Sequence, residues 1–274
     1  MSQKKIAIIG MGKMGEAIAQ GLIQSSLHSQ YQISGTTRTE ESAEEVRQSL
    51  KIKCATENEP AIKNADIVLL AVKPHQVEQI LTACKASLRA DQLILSICAA
   101  VTTEQISEWS GHKTAIIRAM PNTPCLVKSG VTAICKGPRC KDEHLKLAEK
   151  IFGELGLVTI LEESLFDGVT GLSGCGPAYI YLIIEALSEA GVKIGISRKQ
   201  ATLLAAQTMM GAAKMVLERG EHPASLKDEV TTPAGCTIDG LMALEEGKLR
   251  VTLIKGVLAA TRRSKIMRKQ AGAK

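Results

Sequence analysis

Aromatic residues are nearly missing from this chain: one Trp, three Tyr and two Phe, 2% of 274 residues. A core must therefore be aliphatic, and a hydrophobic content of 45% is enough to build one. The same shortage removes the stacking platforms on which single-stranded nucleic acid is held. The formal net charge of +6 comes largely from the tail "TRRSKIMRKQAGAK" after Ala260, which reads as a solvated helix end. No nucleic-acid partner is expected. No apolar run approaches the roughly 20 residues that cross a bilayer, so no membrane partner is expected either. The first apolar run, "IAIIG", is too short for a signal peptide, and the chain is expected in the cytoplasm. The eight cysteines (54, 84, 98, 125, 135, 140, 175 and 236) contain no C-x-x-C pair, and no histidine pair complements them, so no metal site is expected. They read as small buried hydrophobes of a reducing compartment.

What is present starts at the N-terminus. Residues 4–9, "KKIAII", read as a short buried strand, and "EAIAQGLIQS" has helical spacing. Between them lies "GMGKMG", Gly10 to Gly15. Strand, G-x-G-x-x-G, helix is the context in which this motif holds a dinucleotide. Gly10 permits the tight turn, Gly12 lets a pyrophosphate approach the backbone, and Gly15 lets helix and strand pack closely. Gly10, Met11, Gly12, Lys13, Met14 and Gly15 are therefore assigned to a cofactor, with the helix N-terminus supplying N–H groups. The next strand, "YQISGTTR", ends in Thr36, Thr37 and Arg38, with no carboxylate before Glu40. Hydroxyls and an arginine suit a ribose 2′-phosphate, so NADPH is expected, with NADH as the alternative. The competing reading of Arg38 is a solvated loop cation.

Further strands follow in "DIVLLAVKP" (66–74), "QLILSICAA" (92–100), "TAIIRAMPN" (114–122) and "VTAICKG" (131–137). Helical stretches such as "EESAEEVRQSL" and "QVEQILTACKASL" separate the early ones, a doubly wound parallel pattern. Ligands in that architecture lie beyond the C-terminal ends of the strands, which adds Ala71, Val72, Lys73, Pro74, Cys98, Ala99 and Ala100 to the cofactor set. Lys73 either touches phosphate or caps its strand, and Pro74 ends that strand. "DEHLKLAEKIFGELG" reads as a helix stopped by Gly156, and "LVTILEE" as the final strand. Helical spacing then holds over 176–191, 197–220, 237–247 and 249–267. The second and fourth of these are rich in Ala and Gly and apolar on more than one face, which calls for burial by another subunit. The fold class is α/β: a Rossmann-type doubly wound dinucleotide-binding domain over 1–163, then an all-helical dimerisation and substrate-binding domain over 164–274.

One late stretch, "DEVTTPAGCTIDGLMALEEG" (228–247), sets three threonines, a proline and a glycine before a helix expected to start near Thr237. Thr237 is expected to cap that helix, leaving the N–H groups of Gly235 and Cys236 directed outward. Such a nest binds an anion such as a small carboxylate. The bland alternative is an ordinary capped loop. His75 and His222 each adjoin a proline and read as structural.

The stretches "IIGMGKMGEAIAQGLI", "ADIVLLAVKP", "IIRAMPNTP", "TGLSGCGPAYIY" and "LKDEVTTPAGCTIDGLMALEEGKLR" together resemble pyrroline-5-carboxylate reductase along essentially the whole chain. The family usually has glycine at the positions of Ala100 and Ala234, and Thr or Ala at that of Cys236. The resemblance implies NAD(P)H-dependent reduction of 1-pyrroline-5-carboxylate, a small imine carboxylate, to L-proline, the last step of proline synthesis. It implies homodimers through interlocked helical domains, often assembled into decamers. It places cofactor at Gly10–Gly15, Thr36, Arg38, Asn58, Val72, Lys73 and Ala99, and substrate near Glu163 and the loop Gly235 to Thr237. On that basis the carboxylate is assigned to Thr232, Gly235, Cys236 and Thr237, and the Thr237 hydroxyl is the catalytic candidate at the ring nitrogen. Two rivals stay open: a 3-hydroxyacid dehydrogenase of the same architecture, and a non-catalytic NADP(H)-binding redox sensor. The first needs a general base, commonly a lysine on the first helix after the cofactor domain, and no lysine occurs from Gly171 to Val192.

Overall fold

A computed structural model of the chain describes residues 3–271. They form two compact units: the described residues through Cys175 with those from Ala259 onward, and Gly176–Leu258. Residue 163, where the sequence patterns divide, lies within the first unit.

The first unit holds an eight-stranded sheet among the described residues, in the order β3-β2-β1-β4-β5-β6-β7-β8. The strands are β1 (Lys4–Ile9), β2 (Tyr31–Thr36), β3 (Lys53–Ala55), β4 (Ile67–Leu70), β5 (Leu93–Ser96), β6 (Ala115–Met120), β7 (Gly130–Lys136) and β8 (Gly156–Ile160). Helices α1 (Lys13–Ile23), α2 (Glu40–Leu50), α3 (Asn58–Asn64), α4 (Pro74–Ala83), α5 (Thr103–Ser110) and α6 (Asp142–Gly153) alternate with them. Side chains alternate across the sheet, so Ile6, Ile8, Leu69, Leu95 and Ile117 join one buried cluster, and Ala7, Ile9, Leu70, Ile94 and Ile116 the other. Burial on both faces is why these strands read as unbroken apolar runs. β1 pairs with both β2 and β4, in parallel, so the strand order reverses there and a crevice opens beyond the strand ends.

Three expectations are corrected. β7 runs antiparallel to β6. Residues 121–129 join them, too few for the crossover of a dozen or more residues that parallel neighbours need. Helix α6 ends at Gly153 rather than at Gly156. Gly156 instead opens β8 with φ 140°, and a Cβ there would lie 2.1 Å from the Gly130 carbonyl oxygen. Pro74 does not end β4, which stops at Leu70; it begins α4, with Lys73 as the N-cap residue and its N–H donating to Gln76 Oε1 at 3.1 Å.

In the first unit α7 (Phe166–Val169) runs into a π-helical turn, Thr170–Gly174. In the second unit α8 (Gly176–Lys193) packs on α9 (Arg198–Arg219) so closely that a Cβ on Gly191 would lie 2.6 Å from that of Ala201. Ser197 caps α9 and Gly220, at φ 64°, ends it. Helices α10 (Pro223–Glu229) and α11 (Cys236–Glu246) follow, and then α12 (Leu249–Ala271), whose residues from Ala259 onward belong to the first unit. The side chain of His222 caps α10 by accepting the Ala224 N–H at 3.2 Å, a structural role. Only Ser188, Ala201 and Ala205 are buried among the described residues of this unit, while Leu203 and Leu217 are 68% and 73% exposed. A helical unit with so little interior leaves its apolar faces for a partner.

The described cysteines are all free, and five are buried in the first unit. Burial pushes the Cys98 thiol up to about 11 and, with the negative charge of Glu163 adding to it, Cys135 up to about 12. Both thiols therefore hold their protons more tightly folded than unfolded. Their contribution is complete below the ordinary thiol value of 9.0 and is lost as pH rises from there through the folded values. Urea unfolding should accordingly show stability falling between pH 9 and 11, by roughly 2 kcal/mol for Cys98 alone. Cys98→Ala should flatten that slope, whatever its effect on stability at pH 7; an unchanged slope would contradict the assignment.

Candidate active site

The first unit gathers its candidate residues around the β1–α1 turn. The N–H groups of Gly10 and Met11 both donate to the Thr36 carbonyl, at 3.2 and 2.8 Å, which ties the turn to the end of β2. Gly10 sits at φ 97°, and a Cβ on it would lie 2.6 Å from Val72 Cγ1. A Cβ on Gly15 would lie 2.4 Å from the Gly10 carbonyl oxygen. A Cβ on Gly12 would meet nothing within 4 Å. So two of the motif's glycines are demanded by packing, and the third faces open space. The Glu16 N–H bonds the Gly12 carbonyl at 2.9 Å, and the N–H groups before it have no intrahelical partner.

A cavity of about 950 Å³ lies over this turn. Its walls include Gly10, Met11, Gly12, Thr36, Thr37, Arg38, Asn58, Ala71, Val72 and Lys73. Of the other cofactor candidates, Lys13, Met14, Gly15, Pro74, Cys98, Ala99 and Ala100 are not on its walls. Cys98 is close behind them: its Sγ donates to the Val72 carbonyl at 3.2 Å. The wall also carries Ser42, Thr56, Glu57, Glu59 and His75, which sequence patterns did not single out for cofactor. A second cavity, about 680 Å³, lies beside β2 and β3 and includes none of the glycine turn.

The hydroxyls at the end of β2 have local partners. Thr36, 1% exposed, donates to Asn58 Oδ1 at 2.7 Å, and Thr37 donates to the Thr39 carbonyl at 2.9 Å. Asn58 thereby turns its oxygen toward Thr36 at the cavity wall. Arg38 is exposed and makes no ion pair among the described residues.

The resemblance-implied substrate residues fall in both units. Glu163, in the first, accepts the Thr103 N–H at 2.8 Å and Arg118 Nη1 at 3.0 Å through Oε1, and the Thr103 hydroxyl at 2.6 Å through Oε2. Arg118 lies within β6, 1% exposed, with its guanidinium 4.8 Å from the Phe166 ring centroid. Sequence reading passed over Arg118 and Thr103. The signal was there: an arginine in "AIIRAM", otherwise apolar, must be answered by a partner if the strand is buried.

Thr232, Gly235, Cys236 and Thr237 lie together in the second unit. The Gly235 N–H closes a turn onto the Thr232 carbonyl at 3.0 Å. Pro233 and Ala234, the latter at φ 56°, occupy its centre, the pattern of a type II turn. A Cβ on Gly235 would lie 2.4 Å from Thr232 Oγ1. The turn delivers the chain into α11 one step early, so Gly235 is the N-cap residue and Cys236 the first of the helix. Thr237 is therefore not the cap, contrary to expectation; it lies in the first turn. The helix makes no side-chain cap bond, so its leading N–H groups have no hydroxyl of their own. Nearby, Arg219 grips both oxygens of Glu229 at 2.8 and 2.7 Å, which fixes the end of α10 just before this turn. Among the described residues no cluster of His, Cys, Asp and Glu could hold a metal ion, and no helix is long and apolar enough to cross a membrane.

Residues 163–267 match the family model described as pyrroline-5-carboxylate reductase dimerisation, and residues 5–100 match that of NADP oxidoreductase, coenzyme F420-dependent. Pyrroline-5-carboxylate reductase of Arabidopsis thaliana is 39% identical over 261 residues, covering 95% of this chain and 94% of the relative. The structure of a pyrroline-5-carboxylate reductase from Coxiella burnetii superposes with a TM-score of 0.88 at 36% identity, over 97% of this chain and 99% of that one. That of Plasmodium falciparum pyrroline carboxylate reductase, with NADP bound, gives 0.87 at 32% identity, over 97% and 99%. With this identity over nearly the full length of its relatives, the chain belongs to the pyrroline-5-carboxylate reductase family.

Proposed function

We propose that this member of the pyrroline-5-carboxylate reductase family reduces 1-pyrroline-5-carboxylate to L-proline with NADPH as the preferred donor. The observation that carries the cofactor reading is Gly12, whose missing side chain leaves open space beside free N–H groups at the start of α1. When bound, the nicotinamide supplies a hydride from its C4. The chain's own tasks are then to bind, orient and exclude water. Gly10 to Gly15 hold the pyrophosphate, and Arg38 pairs with the 2′-phosphate, with the Asn58 amide beside it. Ala71 to Pro74 and Cys98 to Ala100 border the nicotinamide end. The N–H groups of Cys236 and Thr237 and the Thr232 hydroxyl hold the substrate carboxylate at the start of α11. The Thr237 hydroxyl hydrogen-bonds the ring nitrogen, whose protonated form accepts hydride at the adjacent carbon without a Lewis acid. The enzyme acts as an oligomer built through its dimerisation domain, a homodimer or an assembly of dimers, in the cytoplasm. The direct experiment mixes purified protein with NADPH and pyrroline-5-carboxylate and follows nicotinamide absorbance. No loss of absorbance, with proline absent from the products, would refute the activity.

The glycine turn separates binding from folding. Gly12→Ala should keep the melting behaviour within about 0.5 kcal/mol of wild type, since its Cβ meets nothing, while NADPH binding collapses. Gly15→Ala should destabilise the fold itself, by about 1–3 kcal/mol, since its Cβ meets the Gly10 carbonyl. Melting curves and fluorescence titration with NADPH on both variants test the pair; Gly12→Ala with wild-type affinity would remove the pyrophosphate from this turn.

Cofactor choice is tested at Arg38. Arg38→Ala should weaken NADPH by roughly 1.5–3 kcal/mol, as for a hydrogen bond to a charged group, and NADH far less. Equal losses for both would return Arg38 to the status of a solvated loop residue.

For Thr237 the structure sharpens the test. Because Gly235 is the N-cap residue, Thr237→Ala should leave stability within about 0.5 kcal/mol of wild type. Any kinetic loss then reports the hydroxyl itself. A contact that strengthens in the transition state lowers kcat and kcat/KM together, and Thr237→Ser should retain much of the activity. Wild-type kinetics in Thr237→Ala would leave the turn as a capless helix start and nothing more.

A further inference from the structure

We propose that Glu163 is a positioning residue for the nicotinamide end of the cofactor site, acting through Thr103 and the loop before α5. The proposal rests on the reading of the first-unit cavity as the NADPH site. Glu163 follows β8, yet its carboxylate reaches the first helical residue of α5, accepting both the Thr103 N–H and the Thr103 hydroxyl. It is a helix cap supplied from 60 residues away. An anion at this end of α5 also complements the helix dipole. Arg118 holds the carboxylate from below and is too buried to be answered by bulk water.

The loop that this cap holds is short. It runs from the end of β5 through Cys98, Ala99 and Ala100 to Thr102. At its start the Ile97 N–H bonds the Leu70 carbonyl at 3.0 Å and Cys98 bonds the Val72 carbonyl, so β4 and β5 end in register beside the cavity. At its end Thr102 and Gln105 form a reciprocal capping box, at 2.9 and 3.2 Å, one residue before the Glu163 contacts. Between these anchors Ala100 is 1% exposed and held at φ 61°. A side chain in that left-handed conformation is disfavoured and persists only where its surroundings over-determine it. To the local capping box Glu163 adds a constraint from another part of the chain, on the Thr103 N–H and hydroxyl. Without it the start of α5 loses an acceptor, and Ala100 and the Cys98 segment that backs the Val72 wall lose an anchor. The glycine turn and Arg38, which follow β1 and β2, make no hydrogen bond to this clamp among the described residues. The effect should therefore fall on one half of the dinucleotide.

The test compares two ligands on the full-length protein by direct titration: NADPH, and adenosine 2′,5′-bisphosphate, which lacks the nicotinamide half. Glu163→Gln should weaken NADPH roughly tenfold, a fraction of what a charged hydrogen bond can contribute, and adenosine 2′,5′-bisphosphate by less than about twofold. Thr103→Val, which removes one neutral hydroxyl and keeps the branched shape, should show the same asymmetry, and Thr103→Ser should restore wild-type binding. Should Glu163→Gln fail to fold, the Thr103 pair carries the same comparison. Wild-type affinity for NADPH in Glu163→Gln, with a raised KM for pyrroline-5-carboxylate, would overturn the proposal and make Glu163 a substrate contact. Equal weakening of both ligands would overturn it as a general loosening of the unit. Wild-type protein that binds neither ligand would overturn the cofactor reading, and the proposal with it.

Discussion

A guanidinium buried within a strand must be answered, and in this chain the answer comes from far along the sequence. Arg118 sits on β6 beside Ser96 of β5 and Cys135 of β7, in the middle of an apolar sheet. Its carboxylate partner, Glu163, is reached only after β7, α6 and β8 have been laid down. The charge is therefore satisfied only when the chain has folded through the end of β8. Removing one partner of a fully buried pair costs about 3–5 kcal/mol. Glu163 is partly exposed, which reduces that figure, but Arg118 is not, and its Nε and Nη2 have no hydrogen-bond partner among the described residues to fall back on. The Phe166 ring is what covers the guanidinium on one side. The raised Cys135 thiol reports the same surroundings: burial dominates, and the Glu163 charge adds to it.

Backbone, more than side chains, shapes both binding candidates. At the β1–α1 turn the three motif glycines divide into two that make the turn and one that leaves it open. At the second-unit turn a proline, a left-handed alanine and a glycine bring the chain into α11 with no side-chain cap hydrogen bond at its start. Ala100 and Ala234, where the family usually has glycine, are both left-handed, at φ 61° and 56°. Each carries about 1–2 kcal/mol of conformational penalty that glycine would not. The substitution of small for small is thus not neutral in backbone terms, even though it changes little volume. Both sit inside short loops pinned by hydrogen bonds on either side, which is the circumstance in which such strain is retained.

The sequence was readable wherever local chemistry decides the structure. The strand before Gly10, the helix after it, the ends of α9 and the aliphatic strands are all consequences of spacing and caps. What could not be read were the contacts made across distance. The hydroxyl of Thr36 reads as a phosphate ligand, and its bond to Asn58, 22 positions on, is not legible in the sequence. Glu163 has no motif of its own, and its bonds to Thr103 and Arg118 join residues 60 and 45 positions apart. Two misses were avoidable. The short link after Met120 already forbids a parallel neighbour, and a Pro-Ala-Gly turn already implies that the helix begins before Thr237.

The second unit raises a different physical question, because it lacks an interior. Its described residues bury little beyond Ser188, Ala201 and Ala205, and two of those side chains are single methyl groups. The close α8–α9 contact at Gly191 and Ala201 brings backbones together but cannot remove much apolar area from water. Conformational entropy of a segment this long far exceeds what such an interior returns. The leucines and methionines left outside, Leu203, Met210 and Leu217 among them, are the missing half of the core. For a family whose second half is a dimerisation domain, the second copy supplies that half. The turn from Thr232 to Thr237 belongs to this unit, so the order of the carboxylate site proposed there is tied to assembly. Mass action then links the two: whatever favours the dimer also favours an ordered turn at the start of α11.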